Sequence, residues 1–236
     1  MSGATEAMLL LSDPAIRSMP FQEIGHPVLD LRAVPELRLD SRLADPEGSF
    51  AGLRAGTLDR LLLAQTALPT DVHLLVVEGY RPLPLQQKYF GDYADELRAL
   101  YPDRTSERVR VEASKYVSPP EVGPHCTGGA VDLTLCTADG TELDLGTNVN
   151  DSPVASRNAC FTAAPGLTAE ARRNRDLLVG ALTEVGLVNY PTEWWHWSFG
   201  DRYWAAATDQ THALYGPIRD SGAEEGLRVA LPRAMG

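Results

Sequence analysis

Four side chains in two segments of the sequence could together perform metal-dependent hydrolysis. His125 and Asp132 follow a proline-rich stretch, and His196 closes the tetrapeptide Glu-Trp-Trp-His that begins at Glu193. A catalytic zinc site takes three protein ligands from His and carboxylate and keeps one position for water, whose pKa falls to about 7. Deprotonating that water also requires a base that is not itself a ligand. The pattern predicts one Zn²⁺ per chain on His125, Asp132 and His196, with Glu193 as the base.

The residues around the candidate ligands support this interpretation. Gly128 and Gly129 allow a tight backbone between His125 and Asp132. Asp132 stands among alternating apolar residues typical of a strand, and a buried acid needs a partner, which a metal can be. Each histidine taken alone would more often be a structural residue than a ligand. The tryptophans near His196 could exclude water from the site or belong to the core; they are Trp194, Trp195 and Trp197.

Three motifs occur in a fixed order. They are Glu-Gly-Tyr-Arg-Pro at residues 78–82, His-x-x-Gly-x-Ala-x-Asp-Leu-Thr-Leu at 125–135 and Glu-Trp-Trp-His at 193–196. Together they resemble the VanX-type D-alanyl-D-alanine dipeptidases, which are LAS zinc peptidases of peptidase family M15. The resemblance extends over roughly residues 20–205. It implies a zinc-dependent dipeptidase that hydrolyses short D-amino-acid-containing peptides, such as the cell-wall dipeptide D-Ala-D-Ala, through a metal-activated water.

The resemblance also assigns roles to individual residues. It implies zinc on the same two histidines and aspartate, with Glu193 as catalytic base. It further implies that Arg81 faces the scissile carbonyl, where a fixed cation would stabilise the oxyanion of the tetrahedral intermediate. Without the resemblance, a surface ion pair between Arg81 and Glu78 is the simpler interpretation. A zinc-stabilised scaffold without turnover is a further alternative, but such a protein would need neither Glu193 nor Arg81.

Three positions depart from the family's pattern where it binds its small zwitterionic substrate. Gly123 replaces a serine, and Leu39 replaces an early tyrosine. Asn150 replaces an aspartate near the substrate ammonium, although Asp151 could serve after a one-residue shift. Each charged hydrogen bond lost would weaken binding by about 1–3 kcal/mol. These departures leave open a diverged zinc amidohydrolase acting on a blocked or natural-product amide. Trp195 is a further candidate substrate contact.

Length and composition agree with a single domain over residues 1–236, which the resemblance implies is a zinc-peptidase domain, with peripheral tails at about 1–20 and 206–236. The chain is 44% hydrophobic and 22% charged, which suffices for one core. A formal net charge of −11 argues against nucleic acid or an anionic membrane as partner. The expected partner is a small dipeptide or amide substrate, and the tail after Trp204 could mediate a homodimer.

The cysteines and the amino terminus predict a cytoplasmic protein. Three cysteines at irregular positions do not form a secreted disulfide framework. The first residues lack a basic segment typical of an export signal, and the chain has no run of 18 apolar residues. Cys126 adjoins a candidate ligand, but its side chain should point away from that of His125.

The periodicity of apolar residues predicts an α+β fold, with a central antiparallel sheet that carries the zinc site and helices packed outside. Helices are expected at 53–68, 84–100 and 168–185, each with a proline or glycine near its end. Strands are expected at 74–77, 130–136, 187–190 and 194–199. A turn at 138–140 followed by Leu143 and Leu145 predicts a hairpin with the second of these strands.

Overall fold

A computed structural model describes residues 8–218 of the chain. Within this part, six helices and seven strands are present. The strands β1 to β7 are Val28–Asp30, Arg38–Leu39, Gly52–Arg54, Val72–Glu78, Ala130–Thr137, Val188–Asn189 and His196–Ser198. The helices α1 to α6 are Pro14–Ser18, Ala55–Ala67, Leu83–Leu100, Ser106–Ala113, Ala169–Glu184 and Arg202–Ala207.

Five strands form the central sheet in the order β2-β4-β5-β7-β6. The pairs β4–β5, β5–β7 and β6–β7 are antiparallel, which confirms the predicted α+β fold and the antiparallel centre of its sheet. The edge strand β2 instead runs parallel to β4. Helix α2 lies between β2 and β4 in the chain, and a parallel pair requires a crossover of this kind. β1 and β3 form a separate two-stranded sheet.

The register of the sheet places three polar residues in one row. Asp132 on β5 lies opposite Glu78 on β4 and opposite His196 on β7. A register shift between Val76 and Glu78 ends the regular pairing of β4 at this point. All three side chains are nearly inaccessible to solvent. The sheet therefore brings charged and metal-binding groups together inside the protein.

The three predicted helices are present, with ends shifted by one or two residues. Thr168 caps α5 by accepting a hydrogen bond from the backbone of Ala171, as its sequence position indicated. Helix α4 was not predicted because it is short and mostly polar, although Thr105 caps it in the same way. None of the described helices is long and apolar enough to cross a lipid bilayer.

Only the turn of the predicted hairpin and a single bridge beyond it are present. Thr137 and Thr141 close the turn, and Cys136 pairs with Glu142 in a single bridge. Asp144 then accepts a hydrogen bond from the backbone of Gly146, which forms a turn where a second strand was expected. The chain therefore leaves the sheet and forms a long loop before α5.

The segments predicted as peripheral tails are integrated into the protein wherever the structure describes them. Ile16 of α1 and Tyr215 near the other end are both fully buried. Phe21 and Ala213 form a parallel bridge, so the two segments lie side by side. These contacts do not fix where the domain begins or ends, so the boundaries at 20 and 206 stay a prediction. Residues 219–236, part of the proposed dimer arm, lie outside the described residues.

Candidate metal centre

The three candidate ligands converge on one point. Nδ1 of His196 lies 2.9 Å from Oδ1 of Asp132, and Nε2 of His125 lies 3.3 Å from the same oxygen. The two imidazole nitrogens are 3.1 Å apart. One atom from each residue lies within 4.8 Å of the others, and no other such group of metal-binding side chains occurs among residues 8–218.

Local backbone structure fixes the imidazole of His125. The residue lies in a 3-10 turn, Pro124–Thr127, which ends at Gly128 with φ of +69°. Its Nδ1 is 2.7 Å from the carbonyl oxygen of Gly79. Because a carbonyl only accepts hydrogen bonds, Nδ1 carries a proton, and in the neutral imidazole Nε2 is then the nitrogen free to bind a metal ion. A backbone partner of this kind commonly orients a metal-binding histidine.

The charge of Asp132 suits a bound cation. Burial opposes ionisation of Asp132, but the neighbouring His125 and His196 hold its pKa well below the usual range. Burial is also the largest influence on both histidines and lowers the pKa of His196, whereas at His125 the charge of Asp132, a hydrogen bond to it and the charge of Glu78 together outweigh burial and raise the pKa. Two imidazoles and one carboxylate form a donor set typical of catalytic zinc. The residues present therefore fit a divalent ion.

Glu193 lies beside the candidate ligands but farther from their meeting point. Its Oε2 is 4.0 Å from Nδ1 of His196, and the side chain is almost fully buried. Burial and the negative charge of Asp132 raise the pKa of Glu193 well above its usual range, while Arg81 acts in the opposite direction. A carboxyl group with a raised pKa can both accept and return a proton near neutral pH.

Arg81 is a buried member of the same site. Its guanidinium donates from Nε to Glu78 at 2.8 Å, forms a second bond to the same carboxylate, and donates from Nη1 to Gln86 at 2.8 Å. The ion pair with Glu78 therefore exists, but it is buried against a cavity and not on the surface. Two of the five N–H groups of an arginine remain after these three bonds.

Sequence reasoning missed Gln86. This residue of α3 is fully buried, accepts the hydrogen bond from Arg81, and donates from Nε2 to the carbonyl oxygen of Ser118 at 2.8 Å. It therefore connects the arginine to the segment that leads to His125. A glutamine on the buried face of an amphipathic helix was the one signal that could have identified it.

A cavity of about 320 Å³ opens next to these residues. The candidate ligands, Glu193 and Arg81 line it on the polar side. The remainder of its wall combines aromatic and aliphatic side chains with further polar ones. The first group is Leu11, Leu43, Tyr89, Tyr93, Tyr116 and Val117, and the second is Glu78, Asp92, Glu96, Ser118 and Asn150. This volume is at the lower end of the range for small-molecule sites, so it suits a small ligand.

The three predicted substrate contacts lie in different parts of the structure. Asn150 lines the cavity with φ of +67°, and its carbonyl oxygen accepts a hydrogen bond from the hydroxyl of Tyr116 at 2.8 Å. Asp151 lines a different groove, and its Oδ2 accepts a hydrogen bond from the backbone of Asn148. Trp195 is fully buried in the main core. Of these three residues, only Asn150 reaches the cavity.

Of the three departures from the family's pattern, Asn150 lines the cavity, whereas Leu39 and Gly123 do not. Leu39 on β2 pairs with Val76 and packs against the core. A Cβ at Gly123 would lie 3.1 Å from Sγ of Cys126 and 3.2 Å from Cγ of Gln86, so a serine there would need its neighbours to shift.

Burial raises the pKa of the Cys126 thiol to about 12, which leaves it protonated and unsuited to bind metal.

Comparison with known proteins finds similar peptidases. Residues 57–215 match the peptidase M15 family, described as D-Ala-D-Ala dipeptidase. The D-alanyl-D-alanine dipeptidase of Synechocystis sp. is 29% identical over 85% of this chain and 95% of its own length. The D-alanyl-D-alanine dipeptidase of Escherichia coli K12 is 36% identical over 35% of this chain and 41% of its own length. The resemblance found in the three motifs is thereby confirmed.

Among solved structures, the LD-carboxypeptidase LdcB is similar to this chain. The two share 19% sequence identity with a TM-score of 0.41, over 77% of this chain and 73% of LdcB.

Proposed function

The chain belongs to the peptidase M15 family of D-Ala-D-Ala dipeptidases and is a metallopeptidase, and from this premise we propose that it hydrolyses short D-amino-acid-containing dipeptides such as D-Ala-D-Ala with the aid of one zinc ion. His125, Asp132 and His196 would hold the ion. The observation that carries the proposal is the position of Glu193 and Arg81 on the wall of the cavity that the three candidate ligands also line. A site that only stabilised the fold would need neither residue.

The catalytic cycle follows from the positions of these side chains. When bound, zinc supplies a Lewis acid that lowers the pKa of a water molecule and polarises the substrate carbonyl. Glu193 accepts the proton of the attacking water, and its raised pKa lets it keep that proton and then pass it to the leaving amine. Arg81 lines the cavity and keeps two N–H groups outside its bonds to Glu78 and Gln86, which can stabilise the developing oxyanion. Glu78 and Gln86 hold the guanidinium in place for this role.

The test measures metal content and release of D-alanine from D-Ala-D-Ala. We expect about one zinc per chain and turnover by the unmodified protein. Glu193→Gln should retain the zinc and lose activity by about 10²- to 10⁴-fold, because it removes the base without removing a ligand. Loss of zinc in this variant would place Glu193 among the ligands. Purified chain without any bound divalent metal would overturn the proposal.

A second candidate is a diverged zinc amidohydrolase that acts on a blocked or natural-product amide. The observation that favours it is that Asn150 stands at the cavity where the family has an aspartate, while Asp151 lines another groove and cannot replace it. An amide substrate without a free ammonium group would not need that anion. Comparison of D-Ala-D-Ala with N-acetyl-D-Ala-D-Ala distinguishes the two candidates, since a preference for the acetylated compound favours the second.

A further inference from the structure

The amino-terminal segment, residues 8–18, contributes to the substrate cavity although it precedes the region that matches the family. The family match begins at residue 57, yet Leu11 is one of the aliphatic residues of the cavity wall. Its side chain is 3% exposed. It therefore belongs to the same enclosed space as Glu193 and His196 and is not part of a free chain end.

Several contacts fix Leu11 at this position. Its backbone N–H donates to the hydroxyl of Tyr190 at 3.2 Å, and that hydroxyl donates to the carbonyl oxygen of Ser114. The hydroxyls of Ser12 and Ser114 lie 2.8 Å apart. On the following helix, Ile16 is fully buried in the same apolar cluster as Leu11. Anchors on both sides of Leu11 leave its side chain little freedom to move out of the cavity.

The anchor of Leu11 is also connected to the candidate metal centre. The backbone N–H of Tyr190 donates to the carbonyl oxygen of His196 at 3.0 Å, and the two rings are 6.0 Å apart in an edge-on arrangement. The position of the leucine is thus set relative to the reacting groups through one tyrosine. A wall residue fixed in this way can select a ligand by size.

We propose that Leu11 is a specificity-determining residue, which contacts an apolar side chain of the dipeptide substrate and limits the size of the side chain that the cavity accepts. This inference rests on the proposed dipeptidase function. It implies that the enzyme favours dipeptides with small apolar side chains. A change of one methylene in an apolar pocket alters discrimination by about 10- to 200-fold, so a change at Leu11 should be readily measurable.

The experiment compares kcat/KM for D-Ala-D-Ala with that for D-Phe-D-Ala and D-Ala-D-Phe, which place the large side chain on either side of the scissile bond. In Leu11→Ala, the ratio for one of the two larger dipeptides relative to D-Ala-D-Ala should rise about tenfold or more. In Leu11→Phe, which narrows the cavity, the same ratio should fall. Zinc content and thermal unfolding are measured for each variant. Leu11→Val replaces Leu11→Ala if the alanine variant does not fold.

Leu9→Ala is the matched control, because Leu9 packs against the same apolar cluster but does not line the cavity. It should lower thermal stability without altering the substrate ratio. Turnover with an unchanged ratio in Leu11→Phe and in the smaller variant would overturn this inference and leave the dipeptidase function intact. Absence of turnover by the unmodified chain with every dipeptide would overturn the proposed function and, with it, this inference.

Discussion

The cavity has two kinds of wall, which differ in how the fold builds them. The strand wall consists of Glu78, Asp132 and His196, which lie in one row across three hydrogen-bonded strands. The helix-loop wall is assembled from separate segments and includes Leu11, Leu43, Tyr89, Asp92, Tyr93, Glu96, Tyr116, Val117, Ser118 and Asn150. The strand wall is fixed by backbone pairing, whereas the helix-loop wall is fixed by side-chain packing and side-chain hydrogen bonds. The other candidate residues, Arg81, His125 and Glu193, lie in the turns that follow or precede the strands.

The loop between β5 and α5 illustrates how the second wall is held. Arg175 of α5 is buried and donates hydrogen bonds to the carbonyl oxygens of Leu145, Ala159 and Phe161. One side chain thus satisfies backbone groups on both sides of Asn150. Such a wall can change its lining residues without disturbing the sheet. We therefore expect substitutions in the strand wall to abolish activity and substitutions in the helix-loop wall to redirect it.

The largest expected effect comes from removal of a ligand of the candidate metal centre. His125→Ala should lose both zinc and detectable turnover, because two protein ligands rarely hold a catalytic zinc. Chelation of the unmodified enzyme should have the same result, and added zinc should restore activity only to the unmodified enzyme. His73→Ala, at a half-buried histidine on the same sheet, is the control. Zinc bound normally by His125→Ala would remove this residue from the ligand set.

The next effect concerns Arg81. Arg81→Lys keeps the charge but loses the forked contact with Glu78, so kcat should fall by about 10²- to 10³-fold while zinc content stays unchanged. Gln86→Leu, which removes one partner of the guanidinium, should lower kcat by less. Steady-state kinetics measure both variants. If Arg81→Lys were nearly as active as the unmodified enzyme, Arg81 would have only a structural role, in its ion pair with Glu78.

A smaller effect in the opposite direction is expected in the helix-loop wall. Asn150→Asp places an anion on the cavity where a dipeptide ammonium could bind, and kcat/KM for D-Ala-D-Ala should rise about tenfold, within the 1–3 kcal/mol of a charged hydrogen bond. The rise should be absent for N-acetyl-D-Ala-D-Ala. Asp151→Asn changes a neighbouring carboxylate that lines another groove, and it should leave both values unaltered. Equal gains for the two substrates would contradict this assignment.

The smallest effect tests whether the thiol next to the metal centre participates. Burial raises the pKa values of Cys126, Cys136 and Cys160, that of Cys126 to about 12. All three thiols should stay protonated at pH 8 and react with a thiol reagent only after unfolding. Thiol titration with and without denaturant measures this. Rapid modification of native enzyme with loss of activity would show that Cys126 is accessible and close to the reaction.

The contrast between the strand wall and the helix-loop wall explains which features the sequence could predict. The residues of the strand wall stand in short motifs with regular strand patterns, so their meeting in space follows from local rules. Leu11 carries no local signal of its role, and Gln86 carries only its place on the buried face of a helix, because contacts with segments distant in the chain define both residues. Helix α4 escaped prediction since its sequence is short and polar. The burial of Tyr215, near the end of the described part of the chain, depends likewise on long-range packing.

The glycine whose carbonyl orients His125 has a consequence for how this site can evolve. A Cβ on Gly79 would lie 2.3 Å from the carbonyl oxygen of Gly52, a backbone atom that cannot rotate away. A side chain at residue 79 would force the end of β4 away from Gly52 and move the carbonyl that holds the imidazole of His125. Position 79 is therefore among the least free to vary, and we expect new substrate preferences to arise at residues that line the cavity.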